Sequence, residues 1–157
     1  MVFQDSDSQL FMPTVLEDVA FGPLNLGLDP VAAAERARTA LERTGMAGAA
    51  GRAPYHLSAG EKRRVAIAGI LAMDPEILVL DEPTTFLDPP ARRSLAELLR
   101  NLPQAKILVT HDVSFARSIC TRAVFFLNGA VTATGAIGDV VERFEWDFTP
   151  ARNPSGR

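Results

Sequence analysis

Three short segments of this chain carry residue types suited to holding an anion and activating a water. They are Leu57-Ser58-Ala59-Gly60-Glu61, Ile77-Leu78-Val79-Leu80-Asp81-Glu82-Pro83 and Val109-Thr110-His111-Asp112. Ser58 stands three residues before Glu61, the spacing of a capping box. A helix therefore starts at Ala59, and its first backbone N–H groups form a site for an anion. Gly60 adds no side chain to block that approach. A capped helix and nothing more is the plain alternative, and it is sufficient for this segment taken alone. Asp81 and Glu82 close a run of four aliphatics, which puts them at the carboxyl end of a strand, where open α/β sheets bind ligands. Asp81 is placed to hold Mg2+, directly or through water, and Glu82 to accept a proton from an attacking water. The alternative, that they cap the next element, is weakened because uncompensated charge at a core edge is costly. His111 ends the following strand in the same manner and can bond a phosphate or position a water; a structural histidine is the alternative. Asp88 is accounted for as a helix N-cap. Gln4 alone reads as a surface glutamine, and His56, beside Tyr55, as structural.

The loop that clamps phosphates within a chain, G-x-x-x-x-G-K-[ST], does not occur in these 157 residues. The two lysines are Lys62 and Lys106, and neither follows a glycine. Gly45, Gly48 and Gly51 have a G-x-x-G-x-x-G spacing, but no Lys-Ser or Lys-Thr follows and no strand precedes. That stretch is read as a linker.

The length suits one domain with a real core. Hydrophobic residues make up 47% of the chain and charged residues 22%, a globular balance rather than a disordered one. A net charge of -3 gives no support for nucleic-acid binding through a basic face. The longest apolar run, Val65 to Met73, is too short to span a bilayer, and the first twenty residues show no signal-peptide pattern. A single cysteine, Cys120, excludes an internal disulfide, suits a reducing cytosol and reads as a small buried hydrophobe.

These residues need a scaffold, and the chain supplies strands alternating with helices. Met1-Val2-Phe3 reads as a strand end, followed by a polar loop from Gln4 to Gln9. A helix opens at Pro13 or Thr14, with Val15, Leu16, Val19 and Ala20 at helical spacing, and Pro23 is expected to break it. Asp29-Pro30 opens a second helix through Arg43, with Val31, Ala34, Ala37, Ala40 and Leu41 as its apolar side. The continuous aliphatic run at 77–81 suits a strand buried on both faces of a parallel sheet. Asp88-Pro89 opens a helix to about Asn101. A strand over 107–110 and a helix from Asp112 to about Cys120 follow. Asn128-Gly129 is a hairpin turn between 123–127 and 130–134. A last helix is expected over about 137–144, and a disordered tail over 145–157. The fold class is α/β, with a mostly helical arm over about 14–70 and a sheet core over about 71–144.

In order and spacing these segments resemble the ATP-binding subunits of ABC transporters. Leu57–Glu61 is similar to the family signature, which usually ends Gly-Gly-Gln; here Ala59 and Glu61 stand in for Gly and Gln. Ile77–Glu82 resembles the Walker B strand with its catalytic glutamate, Phe86-Leu87-Asp88 the D-loop, His111 the switch histidine, and Gln4 the Q-loop glutamine. A narrower likeness, to the cobalt/nickel energy-coupling-factor ATPases, lies in Phe3–Phe11, Thr14–Pro23 and Asp81–Pro89. The resemblance implies a partial P-loop NTPase fold over residues 1–144 and, as ligands, ATP with Mg2+. It implies catalytic roles for Glu82 and His111, nucleotide contacts from Gln4, Ser58, Gly60, Glu61 and Asp88, and metal contacts from Asp81 and Gln4. It further implies a second ABC ATPase subunit closing head to tail, integral membrane subunits as partners, a peripheral position on the cytoplasmic face of the membrane, and no nucleic-acid partner.

In that family the signature serves the nucleotide of the opposite subunit, whereas the Walker B, Gln and His residues act beside their own phosphate loop. Without that loop, this chain is expected to show no ATPase activity alone. The expectation is a C-terminal part of an ATP-hydrolysing importer subunit for cobalt, nickel or a related micronutrient. The alternatives are a non-hydrolytic subunit lending its signature to a partner, and a non-functional fragment.

Overall fold

A computed structural model describes residues 9–146. Gln4 and the strand end expected at 1–3 lie outside the described residues. The described chain falls into two compact units, one ending at His111 and the other beginning at Asp112.

The first unit opens with three helices: α1 (Val15–Asn25), α2 (Pro30–Arg43) and α3 (Ala59–Leu71). Each starts on a side-chain cap. Thr14 and Glu17 form a capping box on α1, Asp29 accepts from the N–H groups of Val31 and Ala32 on α2, and Ser58 and Glu61 form a second box on α3. These caps satisfy backbone donors that a helix start leaves unpaired. Helix α3 packs against α1 and α2 and is apolar over most of its circumference, with Val65, Ala66, Ile67 and Ala68 all buried. It is the centre of a core completed by Val15 and Val19 of α1 and Leu41 of α2.

Two expectations for these helices are corrected. Helix α1 continues through Pro23 to Asn25. Pro23 forfeits its own N–H bond to the preceding turn, but its carbonyl still accepts from the N–H groups of Leu26 and Leu28, both at 3.2 Å, before Gly27 turns the chain at φ +88. The buried stripe of α2 is Ala33, Ala37, Ala40 and Leu41, and Val31 is 69% exposed. The spacing i, i+4, i+7, i+8 from Ala33 defines one face, and Val31 lies two positions, about 200°, away from it.

Strands β1 (Ile77–Asp81) and β2 (Ala105–Val109) pair in parallel, joined by helix α4 (Pro89–Asn101). Asp88 caps α4 by accepting from the Ala91 N–H at 2.8 Å, and α4 touches α3. The register sets Val79 beside Ile107 and Asp81 beside Val109. Burial on both faces of β1, expected from its aliphatic run, is not what forms. Leu78 and Leu80 are buried, but Ile77, Ile107 and Val109 are each more than half exposed. Neighbours in a parallel register share a face, so these three residues and Val79 form one apolar strip left uncovered among the described residues.

The second unit holds α5 (Val113–Ile119), the antiparallel hairpin β3 (Arg122–Leu127) and β4 (Ala130–Ala136), and α6 (Ile137–Arg143). Asn128 and Gly129 turn the hairpin at φ 52 and φ 77, the left-handed values an Asn-Gly turn provides. Phe144 stacks on Phe125 at 4.0 Å, and Trp146, assigned by its sequence position to the tail, packs edge-on against Phe125 at 5.2 Å.

Candidate functional site

The start of α3 is held by a closed set of hydrogen bonds. The Ser58 hydroxyl accepts from the Glu61 N–H at 3.3 Å, and Glu61 Oε2 accepts from the Ser58 N–H at 2.8 Å. Arg52 adds a brace: its guanidinium donates to Glu61 Oε1 at 2.9 Å and to the His56 carbonyl at 2.8 Å. Bonds from the Ser58 N–H, the Ser58 hydroxyl and Arg52 together hold the Glu61 carboxyl below its ordinary range. Gly60 has a packing reason as well as a chemical one, since a Cβ there would meet the Ala91 Cβ of α4 at 3.3 Å. The two helix starts enclose a cleft of about 380 Å3 whose lining includes Gly60, Arg63, Arg64, Asp88 and Ser94. Gly60 and Asp88, chosen from separate motifs, therefore share one cleft. Within it Arg64 donates to the Thr44 carbonyl at 2.9 Å and to the Ser94 hydroxyl.

A second constellation forms where β1 and β2 end side by side. Glu82 leaves β1 at φ 42, a left-handed conformation unusual for a glutamate, and its N–H donates to the Val109 carbonyl at 2.8 Å. Non-glycine residues held there cost on the order of 1–3 kcal/mol and cluster at functional sites. The turn brings the Glu82 carboxylate onto the end of β2. Oε2 accepts from the Thr110 hydroxyl at 3.1 Å. Oε1 accepts from the His111 N–H at 3.0 Å and lies 2.8 Å from His111 Nδ1. With Nδ1–H donated to Glu82, His111 Nε2 is an acceptor in the neutral ring and a donor in the imidazolium, on a ring whose side chain is 77% exposed. Such a corner can orient a water through the carboxylate and, with the ring in its imidazolium form, present the Nε2–H to an anion.

Asp81, in register beside Val109, brings one carboxylate to the same strand ends. No group of three or more His, Cys, Asp and Glu side chains able to hold a metal occurs among the described residues. That donor set does not fit an ion caged by protein alone. It does fit Mg2+ that arrives with phosphates, since this ion takes one or two carboxylates and completes its shell with substrate oxygens and water.

Two contributors have no signal of their own in the sequence reading. Arg52 meets Glu61 only through the fold of the intervening turn. Thr110 was visible beside His111, but its bond to Glu82 depends on the Glu82 turn. No helix among the described residues is long and apolar enough to cross a membrane.

The family model of ABC transporters matches residues 1–85. A protein of Geobacter sulfurreducens described as an ABC transporter ATP-binding protein is 54% identical over 140 residues, covering 89% of this chain and 56% of the relative. The energy-coupling factor transporter ATP-binding protein EcfA of Methanothermobacter thermautotrophicus is 51% identical over 138 residues, 86% of this chain and 44% of that protein. Among solved structures, cbiO1 from Clostridium perfringens, part of the ABC transporter complex cbiONQ, superposes with a TM-score of 0.81 at 38% identity, covering 92% of this chain and 59% of that one. The chain thus spans about half the length of the curated relatives it matches.

Proposed function

The chain belongs to the ABC transporter ATP-binding family, and on that premise we propose that it is an ATP-handling subunit of an importer for cobalt, nickel or a related micronutrient. The observation that carries this reading is the joining of Glu82, at the end of β1, to Thr110 and His111 at the end of β2. Likeness to EcfA, an energy-coupling factor transporter ATP-binding protein, and to cbiO1, part of an ABC transporter complex, supports the transporter role; cobalt or nickel as substrate rests on the resemblance of Phe3–Phe11, Thr14–Pro23 and Asp81–Pro89.

Glu82 takes the proton of the attacking water, and His111 holds Glu82 through Nδ1 and, as the imidazolium, donates from Nε2 to the terminal phosphate. Asp81, with Gln4 by the resemblance, would hold Mg2+, which would supply positive charge against the phosphates. Ser58, Gly60 and Glu61 face the ATP held by a second subunit, and Asp88 lies beside them in the same cleft. Phe11 and Phe21, exposed and edge to face at 5.0 Å, form with Leu24 and Leu26 the apolar surface offered to membrane subunits. The protein then sits peripherally on the cytoplasmic face.

A second reading is favoured by one observation. The braced start of α3 is complete, whereas both Glu82 oxygens are already bonded within the chain. On that reading the subunit lends its signature and does not hydrolyse. The test pairs the chain with an ABC ATP-binding subunit that carries a phosphate loop. Association should depend on ATP and be lost in Ser58→Arg; indifference to both rejects the proposal. In the pair, loss of Mg2+-dependent turnover in Glu82→Gln supports the hydrolytic reading, and unchanged turnover supports the second.

A further inference from the structure

We infer that Arg52 is the positioning residue that makes an acidic signature compatible with a polyphosphate: its guanidinium neutralises and holds the Glu61 carboxylate, leaving the Ala59 and Gly60 N–H groups open to the phosphates of ATP. The inference rests on the reading of Ser58–Glu61 as an ATP contact.

Helix geometry leaves the first N–H groups of α3 without carbonyl partners. The capping box uses that of Glu61, so Ala59 and Gly60 are the donors left for an anion. An acid at this position suits the helix dipole, but its charge stands at the end of the helix where the phosphates would bind. A glutamine, usual in the resembling family, takes the Ser58 N–H without that charge. This chain has the acid, which any ordinary glutamate carries ionised at neutral pH, and bonds from Ser58 and Arg52 hold it lower still. Like charges brought to one helix end repel each other, so the carboxylate needs a cation of its own.

Arg52 is built to be that cation. Its N–H donates to the Ala49 carbonyl, and its own carbonyl accepts from the Val15 N–H, both at 2.9 Å. The backbone is thereby fixed from both sides, against the start of α1. The fork of the guanidinium then spans Glu61 Oε1 and the His56 carbonyl. Two bonds in one plane give Arg a defined aim that a lysine lacks. Arg64, twelve residues further along, is directed instead to Thr44 and Ser94.

The test is an amide NMR titration with ATP and Mg2+ of the isotope-labelled full chain mixed with an unlabelled ABC ATP-binding subunit that carries a phosphate loop, following Ala59 and Gly60. In the wild type these amides should shift saturably. Arg52→Gln should weaken the apparent affinity about fivefold, the scale of an uncompensated charge at a helix end. Arg52→Gln/Glu61→Gln should restore it, because no charge remains to neutralise. Glu61→Gln alone should bind at least as tightly as the wild type. Equal affinity of the wild type and Arg52→Gln overturns the role of Arg52 while leaving the ATP reading intact. A loss in Arg52→Gln that Glu61→Gln does not rescue assigns Arg52 to folding and overturns the inference. If Arg52→Gln does not fold, weaker binding by a well-dispersed Glu61→Gln overturns it equally. Silence of Ala59 and Gly60 in the wild type rejects the ATP reading and this inference with it.

Discussion

Gly60 separates a packing requirement from a chemical one, and a substitution there can be worked through from the geometry. It occupies the second position of α3, after the Ser58 cap. Alanine is favoured over glycine in a helix by up to about 1 kcal/mol, less in the first turn. Against that gain, the new Cβ would lie 3.3 Å from the Ala91 Cβ, inside the roughly 3.5–4.0 Å of an optimal carbon contact. The start of α4 has little room to yield, since Pro89 and Pro90 stiffen it and Asp88 caps it. Overpacking costs about 1–3 kcal/mol, so Gly60→Ala should destabilise by about 0.5–2 kcal/mol once the propensity gain is subtracted. Ala91→Gly, also in a first turn, should cost up to about 1 kcal/mol alone, and the double variant should cost no more than Ala91→Gly, a coupling of at least about 0.5–2 kcal/mol. Urea unfolding followed by far-UV circular dichroism reads this. Fluorescence of the lone Trp146 does not, because that residue belongs to the second unit. Gly60→Ala at least as stable as the wild type, or strictly additive single variants, would refute the role of the Ala91 contact. The same double variant tests chemistry: if stability returns and the ATP response of Ala59 does not, Gly60 is needed for phosphate approach itself.

Asp18 should matter to the loop before α1. Its carboxylate accepts from the N–H groups of Phe11 at 3.1 Å and Met12 at 3.0 Å. Asp18→Ala strands both donors and should cost about 1–3 kcal/mol in urea unfolding. The pH dependence has opposite signs at two carboxylates. Burial raises Asp18 above 3.8, against the pull of the Phe11 and Met12 N–H bonds and with a small push from Glu17. The folded state then holds that proton more firmly, so this group's contribution is fully present below 3.8 and falls as pH rises through the raised value; Asp18→Asn should flatten the decline. Glu61 is lowered from 4.5, so its contribution is present above 4.5 and lost as pH falls through the lowered value, a slope that Glu61→Gln should remove. Ser58→Ala removes one cap bond of α3 and should cost about 0.5–2 kcal/mol, read by the same unfolding curves.

Legibility in the sequence tracked the range of the interaction. Caps are decided within four residues, and Thr14, Asp29, Ser58, Asp88 and Asp112 all cap the helices that follow them. Asn128-Gly129 likewise carries its turn in its own backbone preferences. The start of α3 was readable for the same reason. Arg52 was not, because the eight residues between them must fold before it meets Glu61. Glu82 was readable as a strand-end acid, but nothing in a glutamate announces φ 42; that conformation is imposed by the Val109 carbonyl and the bonds from Thr110 and His111. The same limit explains the aliphatic run of β1. Its composition says that it can be buried on both faces, and which faces are buried depends on what packs against them.

The strip of Ile77, Val79, Ile107 and Val109 has a consequence for handling the protein. Its members are all β-branched, on a two-stranded parallel ladder whose strands each have an unpaired edge among the described residues, a combination that can template the growth of sheet between molecules. A net charge of only -3 provides little long-range repulsion to oppose it. Light scattering of concentrated solutions should therefore rise with protein concentration and more steeply with added salt. Lysine at Ile107, in the middle of the strip, should suppress that rise without disturbing the start of α3.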